Sequence, residues 1–466
     1  MSKQQVWQRI DEQQDSMTEM ARAIWERPEI GLDEYFASDL QATALEAAGL
    51  RVQRGIKHMP TGIIAEYGEG RPIIAILGEY DALGGLSQDR VPYKKPLVEG
   101  GPGHACGHNL LGTGGVGAVI ALKDALDRGE LKGTLRYYGC PAEEGTFAKN
   151  FMLRDGYFDD LDLALYWHSS GQSNPWRGSN LASIRCLFHF NGVTAHASQG
   201  YLGRSALSAV ELMNTGANYL KNALPKDIVM GYSVLGNNIP PNVIPDKCTV
   251  WYNLRTSRYE TLKESFDRLV DVANGAALMT GTTLEMEIQS ATHELITNQV
   301  ICDVYADQLL ALGGPGFDDD DFAYAAEIAA TLSPEQKATG ARAAMVTPEN
   351  RALTLHNGGV PDAGDRETVL QASGDFDLSW KLPFAFCNIA TWPVGVAAHT
   401  WQATACTASG IGMKGMLYAS KVVAGAAYDF MKDPALIEKA GAEFRETVAD
   451  KVYVFPMAED AVPKSF

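Results

Sequence analysis

Residues 72–85 read PIIAILGEYDALGG, an unbroken apolar run that gives way at once to a polar loop holding Glu79 and Asp81. A strand covered on both faces has this look, and a loop just past its end is where a parallel sheet carries its chemistry. The pattern returns twice: GTLRYYG (133–139) leads into CPAEEG, and DLALYWH (162–168) leads into SSGQSNPW, with a helical run over about 110–127 ahead of the first. Strands alternating with helices predict an α/β fold, an open sheet whose site gathers at the carboxyl edges.

On the N-terminal side, Val6, Ile10, Met17, Met20 and Ile24 keep roughly helical spacing, and Arg27-Pro28 closes one helix. Residues 29–50 read as a turn and a second amphipathic helix. Near Ser183 the texture changes to shorter alternating strands, SIRCLFHFNG, VMGYSVLG, CTVWYNLR and TLEMEIQS, separated by two long helices, SALSAVELMNTGANYL and YETLKESFDRLVDVANGAAL. Strand, helix, strand, strand, helix, strand is a split βαβ, ferredoxin-like layer inserted into the larger domain. The expected division is therefore 1–183 and 295–466 for the sheet domain and 184–294 for the insert. PFAFCNIAT returns to the sheet, with the end of VLQASGDF as a further candidate strand, and two helices over about 410–431 and 434–450 cover it. Residues 313–375 are the least readable. Their acidic run FDDDDFAYAAE reads as a solvated helix start, because consecutive residues point in different directions.

A chain of 466 residues exceeds one ordinary core, in keeping with two domains. The net charge of -18 repels phosphate backbones and anionic lipid, which excludes nucleic-acid and membrane-surface partners. No apolar run reaches spanning length, and the polar N-terminus lacks a signal-peptide core. The cysteines at 106, 140, 186, 248, 302, 387 and 406 are odd in number and scattered, which indicates reduced thiols and a cytoplasmic setting.

The chemistry centres on residues 101–117, GPGHACGHNLLGTGGVG, where His104, Cys106 and His108 alternate between glycines. Two of these three could grip one metal ion, and a thiolate with an imidazole favours zinc, manganese or cobalt. The bland alternative is a glycine-rich turn with small buried residues. The later glycines suit close packing, since the lysine of a phosphate-cradling loop is missing. Further polar signals stand at element ends: Glu79 and Asp81, Glu143-Glu144, His168 and His399. An adjacent glutamate pair can divide its roles, one carboxylate on a metal and its neighbour as general base, although such a pair is otherwise an ordinary surface feature. His168 is either a buried hydrogen-bonded group or a ligand. His58, His189, His293 and His356 read as structural or exposed, with His189 pointing away from the aromatic face of Phe188 and Phe190. The set fits a two-metal hydrolase, in which paired ions polarise a carbonyl and acidify water: Cys106, His108, Glu144, His168 and His399 as ligands, Glu143 as base. Two rivals stand beside it. One is a cysteine-nucleophile amidase built on Cys106 and a neighbouring histidine. The other is a non-catalytic zinc-binding module, against which the leftover Glu143 counts.

These residues fall within an ordered set of strings, GHACGHNLLGT, YYGCPAEEG, ALYWH, AHAS, LGRSALSAVELMNTG, NGAALMTGTT, LSWKLP and HTWQ. Together they resemble the aminoacylase, carboxypeptidase and amidohydrolase family of two-metal peptidases, and within it the p-aminobenzoyl-glutamate hydrolase branch, in particular its B-type chains. The resemblance implies two divalent ions per subunit (manganese or zinc) on Cys106, His108, Glu144, His168 and His399. It implies Glu143 as base and Asp81 as the aspartate that orients the site. Glu79 stands where dipeptidase relatives have a histidine ligand, and Asn109 where auxin-conjugate hydrolases have an aspartate. The insert corresponds to a lid that carries a dimer contact, with a copy of itself or with a related subunit. His196 matches a lid histidine that reaches the neighbouring subunit's site and stabilises an oxyanion, or it simply caps a lid strand. Asn242 and Arg255 fall near substrate-holding positions, with Arg185, Arg204 and Arg258 as alternative clamps. The implied reaction is hydrolysis of the amide of a small N-acyl amino acid, p-aminobenzoyl-glutamate first, with indole-acetyl-amino acids and dipeptides as alternatives.

Overall fold

The computed structural model describes residues 3–236, 239–360 and 364–465. Four parallel strands, Gly133–Cys140, Ile73–Glu79, Leu163–Ser170 and Phe384–Ala390, lie side by side in that order. Antiparallel Met59–Glu69 and Arg51–Ile56 extend one side, and the short Asn174–Pro175 closes the other, making a seven-stranded mixed sheet. The register sets Glu79 opposite Cys140 and His168 opposite Asn388, so the carboxyl ends share one edge. Burial follows the apolar runs: Ile74, Ala75, Ile76 and Leu77 are all fully enclosed.

The helix His108–Asp127 packs on Ile73–Glu79 and against Gly410–Lys432. Its glycines permit that approach. A Cβ on Gly112 would come 2.6 Å from the Glu79 carbonyl oxygen, so the helix start can lie directly on the strand end. Gly107, between Cys106 and His108, has φ +86°, and an added Cβ there would run into the Ser169 hydroxyl.

The four strands of the 182–292 segment pair antiparallel in the order Val229–Leu235, Lys247–Thr256, Ala182–Asn191, Thr283–Thr292, with Ala206–Leu220 and Tyr259–Thr280 packed on one face. Cys186, Phe188 and Phe190 point into this layer, while Arg185, Leu187 and His189 occupy the opposite face. This mixed α/β sheet with an α+β lid is the architecture expected from the sequence.

Three local readings need correction. The N-terminal helix is two, Lys3–Glu12 and Gln14–Glu26, because the chain breaks at Gln13 while the apolar spacing continues across the break. The hairpin Arg51–Ile56 and Met59–Glu69 was not expected; the first strand is mostly solvent-exposed and carries no apolar alternation. Residues 313–375 hold two helices, Asp319–Ala330 and Pro334–Ala343, each started by a capping box. The acidic run is indeed a helix start, although Asp321 is buried against Lys414 rather than solvated.

Candidate active site

The strand ends bring together residues far apart in sequence. Cys106 Sγ lies 3.5 Å from His168 Nε2, and His399 Nε2 lies 3.2 Å from a Glu144 carboxylate oxygen. His108 Nε2 stands 3.9 Å from the other Glu144 oxygen. Three overlapping groups, Cys106–His108–His168, Cys106–Glu144–His399 and His108–Glu143–Glu144, each keep one ligand atom per residue within 4.8 Å of the others. Thiolate, imidazole and carboxylate donors at this spacing suit zinc-like divalent ions. Among the described residues two buried atoms in the cluster, His108 Nε2 and Glu144 Oε1, make no hydrogen bond, although a Glu79 oxygen lies 3.2 Å from His108 Nε2, and a buried polar atom left so is the condition of a group kept for a ligand. The six residues therefore fit a metal centre.

Their orientation is built in. Asp81 Oδ1 sits 2.7 Å from His108 Nδ1, which directs Nε2 into the cluster, and Asp81 Oδ2 accepts the Glu144 backbone N–H at 2.9 Å. His168 Nδ1 bonds the Ser169 carbonyl at 2.8 Å, again turning Nε2 inward. His399 is held at φ +61° by its backbone N–H to the Ala105 carbonyl, and Ala142, just before the glutamate pair, at φ +51°. Such left-handed residues cost of order 1–3 kcal/mol and persist where the surroundings impose them. His104 faces away, toward the Ile24 carbonyl at 3.2 Å, and burial brings it down to about 3, so it is neutral packing. Asn109 ties the helix start to the Ala21 and Thr407 carbonyls.

The electrostatics divide the glutamates. Burial, with the charges of Asp375, Glu79 and Glu144, pushes Glu143 well above the ordinary carboxylate range. Burial opposes the charge on Glu144 too, but the hydrogen bond from His399 and the charge of His108 prevail and hold it at about 2. Burial and Glu144 likewise oppose a Cys106 thiolate, yet His168 and His108 outweigh them and bring it down to about 6.

The cluster forms one wall of a cavity of about 390 Å³. Arg185 and Arg255 line it from the lid, and Phe147, Trp176, Phe376 and Phe386 give it an aromatic side, with Trp176 stacked on Phe386 at 6.1 Å. His196 and Asn242 are not brought there. Both are exposed, His196 on the short ladder Ala195–His196 and Val243–Ile244 and Asn242 just before its second strand. Arg204 donates to the Gly203 carbonyl, and Arg258 faces Glu260 at 3.8 Å, so neither reaches the cavity.

Sequence reasoning missed three residues behind this wall. Lys149 is buried against Glu79 and Asp375. Glu79 is thus tied to Lys149 and to the Tyr166 hydroxyl, with His108 Nε2 at 3.2 Å. Glu34, fully buried, accepts the Ala142 N–H at 2.7 Å and the Thr61 hydroxyl at 2.7 Å, and so fixes the turn that presents Glu143 and Glu144. Burial, then the charge of Asp81, push Glu34 up to about 8, so it is neutral at pH 7. Glu34→Gln should therefore stay close to wild type, since the Thr61 hydroxyl can rotate to accept from the amide. Glu34→Ala strands the Ala142 N–H and should lose about 10- to 100-fold in kcat or metal affinity. Equal kcat for the two variants, at equal folded fraction, would remove Glu34 from the support of the site.

A parallel sheet presenting a clustered set of metal donors at its carboxyl edge, beneath a ferredoxin-like lid, defines a metallohydrolase scaffold. Residues 179–278 match a peptidase dimerisation domain. Over 467 aligned residues the chain is 36% identical to the B-type chain of p-aminobenzoyl-glutamate hydrolase from Escherichia coli (strain K12), covering 97% of each. Its fold is shared with an aminobenzoyl-glutamate utilization protein from Klebsiella pneumoniae (TM-score 0.59, 18% identity, 90% and 97% of the two chains). It is also shared with a dinuclear metal binding peptidase of the M20 family from Bacillus subtilis (TM-score 0.57, 20% identity, 90% and 98%). The chain belongs to this M20 family of hydrolases.

Proposed function

We propose that the protein is a two-metal amidohydrolase that cleaves N-acyl amino acids, with p-aminobenzoyl-glutamate, split to p-aminobenzoate and glutamate, as its substrate. One observation carries the reading: five donors from four separate stretches converge beside Glu143, and two of the three donor groups are complete without that carboxylate. Cys106, His108, Glu144, His168 and His399 would hold two divalent ions, manganese or zinc. Bound there, such ions polarise a carbonyl and lower the pKa of water. Their positive charge would favour the ionised form of Glu143 that burial and the neighbouring carboxylates otherwise disfavour, and the ionised Glu143 takes the proton of the attacking water and returns it to the leaving amide nitrogen. Asp81 keeps His108 in the tautomer that leaves Nε2 free, and the aromatic side of the cavity suits an aryl acyl group. Arg255, which faces the cavity and has no carboxylate partner among the described residues, holds the substrate carboxylate.

Residues 184–294 act as lid and dimerisation unit within a catalytic domain of 1–183 and 295–466. His196 and Asn242 are exposed and away from this chain's own cavity, which supports their serving the site of a partner subunit, a second copy or a related chain, where His196 would stabilise the oxyanion. Among the described residues no helix is long and apolar enough to cross a membrane. The seven unpaired cysteines agree with a cytoplasmic setting.

A second reading has one specific support, the 3.5 Å approach of Cys106 and His168, which would also suit a thiolate nucleophile and its base. Chelation separates the two. Activity on p-aminobenzoyl-glutamate should fall to background when metal is stripped and return on adding manganese or zinc. Turnover that survives complete removal of metal would favour the thiolate. A screen of N-acyl glutamates, aspartates and dipeptides on reconstituted protein tests the substrate, and preference for a neutral dipeptide would overturn it.

A further inference from the structure

Residues 448–465 form neither helix nor strand, yet they are attached at successive points along the boundary between the sheet domain and the lid. Two buried prolines, Pro456 and Pro463, restrict the backbone of this stretch, which lowers the entropy lost on ordering it.

The first attachment is at the lid hinge. The Tyr453 hydroxyl donates to Asp377 at 3.0 Å, and this fully buried carboxylate also accepts the Thr292 hydroxyl at 2.7 Å and the His293 N–H at 2.8 Å, where the last lid strand returns to the sheet domain. Next, Phe455 packs edge-on against Phe151 with ring centres 5.5 Å apart, and Arg154 donates to the Glu459 and Ala461 carbonyls. Both partners lie on Ala148–Arg154, the helix just past the glutamate pair. The last attachment is Lys464. Its carbonyl accepts the buried Thr146 hydroxyl at 2.5 Å, two residues past Glu144, and its ammonium meets Glu287 of the lid strand Thr283–Thr292 at 2.6 Å. Ser465 beside it lines a cavity of about 230 Å³ together with Asp81, Glu144, Arg185 and Trp251.

The two ends differ in strength. Prying Tyr453 away leaves a buried carboxylate short of a donor, so that end is fixed. The Lys464–Glu287 pair has side chains 55% and 35% exposed, and an ion pair of this kind is weak and screened by salt. The contacts also run in series, from Glu287 through Lys464 to Thr146, so one residue joins the lid sheet to the loop of Glu143 and Glu144. Lid placement reaches the site because Arg185 and Arg255 enter the cavity from it.

We infer that residues 453–465 are a strap that holds the lid down on the glutamate loop, with Lys464 as the positioning residue at its releasable end.

Amide hydrogen exchange on the full-length, metal-loaded protein reads the strap without turnover, over peptides spanning 143–147 and 456–465. Lys464→Glu should speed exchange in both by about 3- to 10-fold, the worth of an exposed ion pair and its reversal, and should leave Leu163–Ser170 unchanged. Thr146→Val should act on the same peptides. The double variant Thr146→Val/Lys464→Glu should go no further than the larger single effect, because either cut opens the same series link. Exchanging the charges, Lys464→Glu with Glu287→Lys, should restore the wild-type rates. On p-aminobenzoyl-glutamate, Lys464→Glu should raise KM by a similar factor with kcat within about two-fold and metal content unchanged. This kinetic arm rests on the amidohydrolase reading above, whereas exchange decides by itself if no N-acyl amino acid is cleaved. Unchanged exchange in Lys464→Glu, effects of the two substitutions that multiply, or a charge swap no better than Lys464→Glu would each overturn the strap. A KM that stays at the wild-type value in a turning-over enzyme would overturn its hold on the lid.

Discussion

Glu143→Gln is expected to keep the metal content of the wild type and to lower kcat by about 10²- to 10⁴-fold. Glutamine preserves the shape of the side chain but cannot take a proton from water. The surroundings make the substitution gentle. Glu143 sits among the carboxylates of Glu79, Glu144 and Asp375, and burial with those charges already disfavours its ionised form, so a neutral amide relieves repulsion instead of creating it. Glu144→Gln should behave differently, because Glu144 meets His399 at 3.2 Å and belongs to two of the three donor groups. It should lose bound metal together with activity. Metal analysis beside steady-state kinetics on the two variants separates a base from a ligand. A thiolate mechanism on Cys106 predicts little change in kcat for Glu143→Gln, and a purely structural metal site predicts no split between the neighbouring glutamates. Either outcome would displace Glu143 as the base.

The parts of the molecule that could be read from sequence were those in which one physical cause dominates. The run Ile73–Glu79 is apolar because parallel strands are covered on both faces, and the lid strands alternate because one face is packed and the other is not. The donor set was legible for a related reason: in a parallel sheet the polar residues just past each apolar run must share an edge, whatever their separation in the chain. The support behind that edge was not. Lys149 stands among apolar residues on Ala148–Arg154, and nothing local indicates that its partners are Glu79 and Asp375, 70 and 226 residues away. Glu34 lies in an ordinary polar turn, and its value comes from the Ala142 N–H, 108 residues on. The lid arginines could be named but not ranked, since the choice depends on which strand face looks toward the cavity and which guanidinium finds an acid nearby. Arg204 and Arg258 are excluded by their own local partners, which sequence spacing does not reveal.

Lys149→Met is expected to destabilise the fold by about 3–5 kcal/mol, the usual cost of removing one partner of a buried ion pair. The lysine is 1% exposed and its ammonium touches both Glu79 and Asp375, the latter at 2.6 Å. Methionine fills similar space but leaves two buried carboxylates without a counter-charge. The loss should depend on pH, and its sign follows from Asp375. Burial raises that carboxyl from 3.8 to about 7 in the folded protein, against the pull of Lys149 and helped by Glu79. A raised folded pKa means that its contribution is most favourable below about 3.8 and is lost as pH rises through about 7, where ionisation is harder in the folded state than in the unfolded one. Without Lys149 this opposition grows, so the deficit of Lys149→Met relative to wild type should be largest near pH 8. It should shrink toward pH 5.5 as Asp375 takes up a proton. Urea unfolding across that range measures it. Adding Asp375→Asn to Lys149→Met should recover part of the loss at pH 8, because the stranded charge is removed with its partner. A deficit that is flat with pH, or a double variant no more stable than the single one, would mean that the lysine contributes packing alone and that Glu79, hence His108, is held by Tyr166 and Asp81 without it.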